Sequence, residues 1–355
     1  MENYNVYDKI LENSGRQTVA LIFGGQGEEH NISVASAKYI YSVIDREKFS
    51  PLPVLITKGG RWLICSSVED TDDGTPCFPA RWECGSGLMT GAGFIPVSVA
   101  FPVLHGDFGE DGKIQGALEA AGISYVGCGT TAGALCSDKA YTKTVAEREG
   151  IPCAPWVLGN EPPTPEYIQK IKRRAELLFG YPMFIKPACL GSSIGTSRIC
   201  SGEEFASAYI AAAKYGLRVL IEAALRVERE LECAVFISKR KQMFAKIGSV
   251  SLGGGFYDYG AKYLSAREAM VFAEAKLTPS VEEAVLGFSR ALVSLLSVRQ
   301  LSRIDFFLTD TGEVIFNEIN TMPGFTDISL YPRLMEGLGL SPTELITRLI
   351  CEASF

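Results

Sequence analysis

The chain has 355 residues and a formal net charge of −7, and its composition is 47% hydrophobic and 21% charged. This length exceeds a single ordinary hydrophobic core, so we expect two or three domains, and the composition excludes a disordered chain. No uninterrupted apolar run reaches the roughly 18 residues of a membrane-spanning helix, and no secretion signal is recognisable, so we expect a cytoplasmic protein. The balance of 34 basic against 41 acidic residues argues against broad nucleic-acid binding.

In chain order, the first elements predict an α/β domain with a parallel sheet. After a polar tail at residues 1–16, the apolar run Thr18–Phe23 predicts a buried strand that ends at a glycine turn. Strands and helices then alternate, as is typical of a parallel sheet. They are expected at residues 51–57, 97–104 and 123–126 (strands) and 33–44 and 113–121 (helices). Residues 58–95 are rich in Gly, Pro, Asp and Ser, and we interpret them as an irregular insertion.

Beyond residue 127 the pattern changes to a charged helix at 138–149 and a proline-rich connection at 152–165. The later elements are expected at 166–179, 203–215 and 281–296 (helices) and at 183–186, 218–222, 230–237, 243–250, 303–308 and 313–319 (strands). The chain is therefore predicted to contain three α/β domains. Their predicted limits are residues 17–130, 131–222 and 223–355.

Cysteine and histidine usage limits the metal and redox chemistry. The chain has ten cysteines, and no two are separated by two residues, so the CxxC spacing of redox motifs and zinc ribbons is absent. We expect reduced thiols that pack as small hydrophobic side chains. With only His30 and His105 present, a histidine-rich metal site is excluded.

The last two predicted strands carry a cluster of polar side chains. If a tight loop joins them, Asp305 faces Phe316 and Arg303 faces Glu318. Because side chains alternate along strands, Arg303, Asp305, Glu318 and Asn320 are predicted to project from one face. Carboxylate and amide oxygens suit Mg²⁺, and a cation beside them suits a developing oxyanion. The alternative is a salt-bridged sheet surface that faces solvent.

Two further segments are candidates for ligand binding. Lys186 ends an apolar strand and precedes the loop Leu190–Gly195, whose glycines and hydroxyls suit a phosphate, although an ordinary surface turn is the alternative. Combined with the polar hairpin, the loop indicates the other half of a nucleotide clamp. Glu29 follows the first strand, where a carboxylate could hold a substrate ammonium or simply favour a helix N-terminus.

Together these motifs resemble those of D-alanine–D-alanine ligases of the ATP-grasp superfamily. The similarity runs from Val19 onward. The motifs that carry it are FGGxxxE (23–29) with Ile32 and Ser33, LHGxxGEDG (104–112), GALCSDK (133–139), FIKP (184–187), GSSIG (191–195), RELECAV (229–235), FYDYxAKY (256–263), RIDFF (303–307) and NEINTMPGFT (317–326). The resemblance implies an ATP-grasp fold that uses ATP and two Mg²⁺ or Mn²⁺ ions to join two D-alanines for peptidoglycan synthesis. It also implies a cytoplasmic homodimer without nucleic-acid or membrane partners.

The resemblance also assigns roles to residues of this sequence. The implied catalytic residues are Glu29, Ser192, Tyr263, Arg303, Gly324 and Ser329. The implied ATP-binding residues are Lys139, Lys186, Ser193, Glu222, Ala223, Leu225, Glu230 and Lys262. The implied amino-acid-binding residues are Glu29, Ser33, His105, Arg303, Gly324, Ser329 and Leu330, and the implied metal ligands are Asp305, Glu318 and Asn320.

Some positions depart from the family pattern and bear on the second substrate. Related vancomycin-resistance ligases, which make D-alanyl-D-lactate or D-alanyl-D-serine, commonly carry Arg where this chain has Leu330. An apolar leucine suits a methyl side chain, so we expect D-alanine as second substrate, with D-serine and D-lactate as the alternatives. Asn31, Leu190, Ala223 and Ile328 also replace residues frequent in the family. A catalytically silent ATP-binding regulator is the other alternative, but it would be expected to lack the metal ligands or the loop lysine.

Overall fold

The computed structural model describes residues 15–71, 73–83, 85–238, 241–252, 269–272, 274–326 and 328–354. Within these residues the chain forms three β-sheets with helices packed against them, an α/β architecture. The predicted tail lies outside the described residues up to residue 14, and Lys262 and Tyr263 lie outside them as well. In the described ranges, no helix is both long and apolar enough to span a bilayer.

The first sheet has the parallel centre that the sequence predicts. β1 (Gln17–Gly24) lies between β2 (Phe49–Ile56) and β7 (Val99–Pro102) and pairs with both in parallel. Its inner residues are buried on both faces, which is why this run is continuously apolar rather than alternating. Helix α1 (His30–Val43) packs back against β1. The turn between β1 and α1 therefore lies at the carboxyl edge of the parallel strands, where ligands bind in open α/β sheets.

Residues 58–95 form antiparallel strands that extend this sheet, so the prediction of an irregular insertion was wrong. The strands are β3 (Trp62–Ile64), β4 (Thr75–Trp82), β5 (Gly85–Thr90) and β6 (Gly93–Pro96), in the sheet order β6-β5-β4-β3-β2-β1-β7. Proline and glycine normally argue against strands. Here β3 pairs only with Thr75 and Pro76 of β4, so the remainder of β4 lacks a β3 neighbour and accommodates Pro79.

The second sheet is antiparallel, with the order β10-β9-β11-β8. Its strands are β8 (Trp156–Gly159), β9 (Met183–Pro187), β10 (Ser197–Ile199) and β11 (Val219–Ala223). β8 lies inside the predicted proline-rich connection, whose prolines flank this strand rather than interrupt it. Helix α2 (Lys113–Ala120) follows the first sheet, and the helices preceding and covering the second are α3 (Thr130–Ser137), α4 (Lys139–Arg148), α5 (Pro165–Leu178) and α6 (Phe205–Ala213).

The third sheet contains the predicted C-terminal hairpin. Its order is β15-β14-β12-β16-β17, with β13 paired to β12. The strands are β12 (Val227–Ser238), β13 (Lys241–Phe244), β14 (Gly248–Leu252), β15 (Ala269–Phe272), β16 (Leu301–Thr309) and β17 (Val314–Asn320). Helix α7 (Pro279–Leu295) begins at Thr278, whose hydroxyl accepts from the backbone N–H of Val281. Both α4 and α7 pack against this sheet.

Two C-terminal helices, α8 (Leu330–Glu336) and α9 (Pro342–Cys351), were not predicted. The apolar side of α9 belongs to the same core as the β1 residues Val19, Leu21 and Phe23. A hydrogen bond also ties α9 to the third sheet: the Nε2 of Gln300, just before β16, donates to the carbonyl of Leu349 at 3.1 Å. The end of the chain therefore packs into the core on the α1 side of the first sheet.

The hairpin places the predicted polar residues on one face, but in a different register. Asp305 pairs with Glu318 rather than with Phe316, and Arg303 pairs with Asn320 rather than with Glu318. Directly opposed residues of an antiparallel pair lie on the same face. The four polar side chains therefore share a face, as predicted, although the pairing on which the prediction rested was wrong.

A one-residue bulge at Asn317 explains both results. The register shifts between the Asp305–Glu318 and Phe306–Phe316 pairs, which leaves Asn317 without a partner across β16. The extra residue turns Phe316 to the apolar face, where it is fully buried and its ring centroid lies 6.0 Å from that of Phe306. Glu318 stays on the opposite, polar face.

This packing gives a stability prediction. Phe316→Ala should lower the free energy of unfolding by about 3–5 kcal/mol, because it removes a large buried side chain and leaves a cavity. Leu177→Ala is the control, since Leu177 is 88% exposed and its loss should change stability by no more than about 0.5 kcal/mol. Urea unfolding of both variants measures the difference. Equal changes would contradict the assigned packing.

Candidate active site

A cavity of about 680 Å³ lies between the second and third sheets. Every predicted ATP-binding residue in the described part of the chain lines it. These residues are Lys139, Lys186, Ser193, Glu222, Ala223, Leu225 and Glu230. Asp305 and Glu318 of the hairpin also line it, so cations from the second sheet and α4 face carboxylates of the third. The remaining predicted ATP-binding residue, Lys262, lies outside the described residues.

Lys139 ties α4 to the hairpin and to the glycine-rich loop. The side chain of Asp138 caps α4 by accepting from the N–H of Ala140 at 2.9 Å, which fixes Lys139 in the first turn. The Nζ of Lys139 lies 3.0 Å from Glu318 Oε2 and donates to the carbonyl of Leu190 at 2.7 Å. Burial opposes its charge, but the Glu318 carboxylate, together with Glu222, raises the pKa of Lys139.

Glu222, on β11, is shared between two lysines. Lys143 Nζ lies 2.7 Å from its Oε1, and Lys186 pairs with its Oε2. Burial alone would raise the pKa of Glu222, but the two ammonium groups lower it to about 2. For Lys186, burial outweighs the attraction of Glu222, and the nearby ammonium groups add to the lowering of its pKa. The cluster therefore holds a firmly ionised carboxylate beside a lysine whose charge is poorly compensated.

A second, smaller cavity of about 130 Å³ adjoins the first. Gly191, Ser192 and Glu318 line both cavities. Most of the predicted amino-acid-binding residues line the small cavity, namely Glu29, His105, Arg303, Gly324, Ser329 and Leu330, together with Asn320. The sequence motifs thus separate into two adjacent spaces, one large and one small, with a shared wall.

Glu29 and the glycine-rich loop meet at this wall. The hydroxyl of Ser192 donates a hydrogen bond to Glu29 Oε1. Ser192 and Ser193 have φ angles of 52° and 58°, a left-handed conformation that is unfavourable for residues with a side chain. On the other side of Glu29, Gly106 has a φ of 67°, and a Cβ there would lie 2.2 Å from Glu29 Oε2. Two tight loops therefore converge on one carboxylate.

Arg303 organises the hairpin side of the small cavity. Its Nε and Nη2 donate to the two oxygens of Asp305 at 2.7 and 2.6 Å, and its Nε lies 3.0 Å from Glu232 Oε2. These carboxylates outweigh burial and raise the pKa of Arg303. Asn320 also donates to Asp305, at 3.0 Å. The guanidinium is thus a permanently charged donor fixed in a planar fork.

The hairpin could supply a small set of oxygen ligands to a metal. Asp305 and Glu318 are opposed carboxylates, and Asn320 adds an amide. Among the described residues, no group of three His, Cys, Asp or Glu side chains could hold a metal ion. Two carboxylates and one amide fit Mg²⁺, which is bound through few protein ligands and completes its shell with water and phosphate oxygens.

The predicted oxyanion donor and second-substrate residues lie in the turn before α8. Ser329 occupies the N-cap position of α8, and its hydroxyl accepts from the N–H of Thr326 at 3.0 Å rather than from the helix. A Cβ at Gly324 would lie 2.9 Å from Ser329 Oγ, so the turn depends on glycine there. Leu330 contributes an apolar side chain that is 8% exposed.

His105 is placed at the cavity but is engaged by the protein on both ring nitrogens. Its Nδ1 lies 3.2 Å from the carbonyl of Met322, and its Nε2 lies 3.0 Å from the hydroxyl of Ser36. Burial lowers the pKa of His105. A neutral ring that donates from Nδ1 and accepts at Nε2 satisfies both contacts.

Ser33 does not join the other predicted residues. It is absent from the described lining of both cavities, and its hydroxyl accepts from the N–H of Gly24 at 2.8 Å and donates to the carbonyl of Val103 at 2.5 Å. Ser33 therefore holds the ends of β1 and β7 together, and its predicted contact with substrate is not supported by its position.

Three charged residues at the site were missed from the sequence. Glu110 and Glu232 line the small cavity, and Lys143 lies behind the large one. Spacing could have indicated two of them. Lys143 is one helical turn from Lys139, and Glu232 follows Glu230 at the two-residue repeat of a strand. Glu110 lies within the LHGxxGEDG motif and offered no separate signal.

Two family models match most of the chain. Residues 18–128 match the model described as D-ala D-ala ligase N-terminus, and residues 145–351 match the model described as D-ala D-ala ligase C-terminus. The chain belongs to the D-ala D-ala ligase family. The predicted family and ATP-grasp fold class are thereby confirmed.

Curated relatives and solved structures agree with this membership. The chain is 39% identical over 346 residues to a D-alanine–D-alanine ligase of Caldicellulosiruptor bescii, covering 94% of this chain and 93% of the relative. A D-alanyl-alanine synthetase A structure from Vibrio cholerae superposes with a TM-score of 0.84 at 32% identity, covering 95% of this chain and 98% of that one. The VanG D-Ala:D-Ser ligase from Enterococcus faecalis also gives 0.84, at 31% identity and with coverages of 95% and 99%.

Glu110 gives a stability prediction with a definite sign. Burial, reinforced by Glu29, raises its pKa from 4.5 to about 8. The unfolded chain ionises this group first, so the folded state loses stability as the pH rises from 4.5 to about 8. Glu110→Gln removes this loss, and we expect its Tm relative to the unmodified protein to be higher at pH 8 than at pH 5. Exposed Glu283 supplies the control, Glu283→Gln. A Tm difference that does not change with pH would contradict the assignment.

Proposed function

We propose that the protein is an ATP-dependent D-alanine–D-alanine ligase that forms D-alanyl-D-alanine, ADP and phosphate for peptidoglycan precursor synthesis. The observation that carries this proposal is the common wall of the two cavities. Gly191, Ser192 and Glu318 line both, so a nucleotide in the large cavity and a small amino acid in the other would meet at this wall. The family membership and the ligase activity of the named relatives agree with it.

In the first step, the carboxylate of one D-alanine attacks the γ-phosphorus of ATP, which gives D-alanyl phosphate and ADP. Lys139 and Lys186 would hold the phosphates, and Glu29 would hold the D-alanine ammonium. Phosphoryl transfer depends chiefly on positioning and on neutralisation of charge. The lysines lining the large cavity and the Glu29 carboxylate in the small one support these assignments.

In the second step, the amine of another D-alanine attacks the acyl carbon, and the tetrahedral intermediate expels phosphate. Arg303 and the N–H of Gly324 would stabilise its oxyanion, and Ser329 with Leu330 would border the incoming D-alanine. Preorganised donors are usually the largest contribution at such a centre. The fork of Arg303, held by Asp305 and Glu232, supports this role.

Asp305, Glu318 and Asn320 would hold Mg²⁺ or Mn²⁺, with two ions implied by the family resemblance. The metal would neutralise charge on the phosphates when bound. The donor set supports this assignment, because its few oxygens leave positions for phosphate and water. Lys139 and Arg303 already neutralise these carboxylates, so their ammonium and guanidinium groups would shift toward ligand oxygens once a metal is bound.

The other assignments stay predictions. By resemblance, Ser192 would take part in a hydrogen-bonded relay from Glu29 toward Tyr263, and Lys262 would close over the γ-phosphate. Lys262 and Tyr263 lie outside the described part of the chain. The proposed homodimer is testable by sedimentation and the cytoplasmic location by fractionation.

Each sheet is built almost wholly from one of the predicted domains at 17–130, 131–222 and 223–355, which supports that division.

The proposal predicts a dependence on D-alanine and on the hairpin carboxylate. ADP release should require D-alanine and Mg²⁺, and Glu318→Gln should lower kcat by at least about a hundredfold by removing a carboxylate that would hold the metal beside the phosphates. Glu313→Gln, at the exposed turn of the same hairpin, is the control. A coupled ADP assay with mass spectrometry of the product measures both. ATP hydrolysis that D-alanine does not stimulate would overturn the proposal.

The second substrate is predicted separately. The apolar Leu330 favours a methyl side chain, so kcat/KM should be highest for D-alanine when D-alanine, D-serine and D-lactate compete as second substrate. The D-Ala:D-Ser ligase among the solved relatives makes D-serine the informative comparison. Predominant formation of D-alanyl-D-serine would show that this assignment is wrong while leaving the ligase chemistry intact.

A further inference from the structure

Lys143 is a buried charge that no step of the proposed reaction uses. Its side chain is 1% exposed, and it is absent from the described lining of either cavity. It lies one turn after Lys139 on α4, so both lysines project toward the same side of the helix. Its Nζ reaches Glu222 from behind the wall of the large cavity, whereas Lys186 reaches the same carboxylate from within that cavity.

The cluster has two ammonium groups for one carboxylate. If Glu222 had Lys186 as its only cation, the two would form a matched pair with little exposure to water, and separating them would leave an uncompensated charge behind. Lys186 would then be held away from a phosphate. With Lys143 on Oε1, Glu222 keeps a partner at 2.7 Å when Lys186 moves.

We propose that Lys143 is a positioning residue for the nucleotide: by compensating Glu222 from behind the cavity, it releases Lys186 to bind phosphate. This inference rests on the proposed binding of ATP in the large cavity. This role differs from a purely structural one in what it predicts. Loss of the Lys143 charge should weaken binding of the phosphates more than binding of the nucleoside.

The test measures binding of the non-hydrolysable analogue AMP-PNP and of adenosine by calorimetry on the full-length protein. Lys143→Met keeps an unbranched side chain, one atom shorter, and removes the charge. It should weaken AMP-PNP binding by at least about tenfold and adenosine binding by no more than about threefold. Lys48→Met is the matched control, because it removes an exposed lysine that pairs with Asp45 and should leave both affinities unchanged.

A second variant tests whether weaker binding in Lys143→Met comes from retention of Lys186 by Glu222 or from a general disturbance of the fold. In Lys143→Met/Glu222→Gln, no carboxylate remains to hold Lys186, so AMP-PNP affinity should recover to within about threefold of the Glu222→Gln single variant. Thermal unfolding monitors whether each variant folds.

Three results would overturn the inference: unchanged AMP-PNP affinity in Lys143→Met, equal weakening of AMP-PNP and adenosine, or no recovery in the double variant. Failure of the unsubstituted protein to bind AMP-PNP would instead refute nucleotide binding and, with it, the proposed function. The two failures are therefore distinguishable.

Discussion

Charge matching among largely buried side chains is the constraint on which the candidate site depends. Four cations and four carboxylates from different parts of the chain are brought together there, and each finds an opposite charge. They are Lys139, Lys143, Lys186 and Arg303, with Glu222, Glu232, Asp305 and Glu318. A buried ion without a partner would be strongly unfavourable, so the loops and sheets that carry these groups are fixed relative to one another by the need for pairing. The same pairs become the groups that a charged ligand can recruit.

The polar face of the hairpin shows how sequence reasoning can reach a correct placement through an incorrect pairing. Alternation along β16 and β17 predicted that Asp305 and Glu318 share a face, and they do. The predicted register would have put Phe316 beside them. Burial of Phe316 decides otherwise, because a bulge at Asn317 satisfies both the apolar core and the polar face. A bulge has no reliable signature in one sequence, since any residue type can occupy it.

Other features were predictable to different extents for physical reasons. The two-sided burial of β1 leaves a continuous apolar run, and its short length and the glycines that follow it indicate a strand rather than a helix. In β4, by contrast, Pro79 is accommodated because the pairing with β3 stops at Pro76, a fact of tertiary structure. The motifs located most of the site. The roles of Lys143 and Glu110 were missed because they depend on burial of their charged groups, which a sequence motif does not reveal. Ser33 lies in a motif but is used by the backbone.

The packing of α9 on the first sheet has a consequence for synthesis of the chain. Val19 and Phe23 share a core with Leu345 and Ile350, which are separated from them by almost the whole sequence. Domains at the N-terminus of a protein commonly fold while the ribosome is still elongating the chain. Here the first sheet can pair its strands and receive α1 early, but the core on that side is complete only when α9 has emerged and packed into it. The core around the strand that is made first is therefore completed by the helix that is made last, at the end of synthesis.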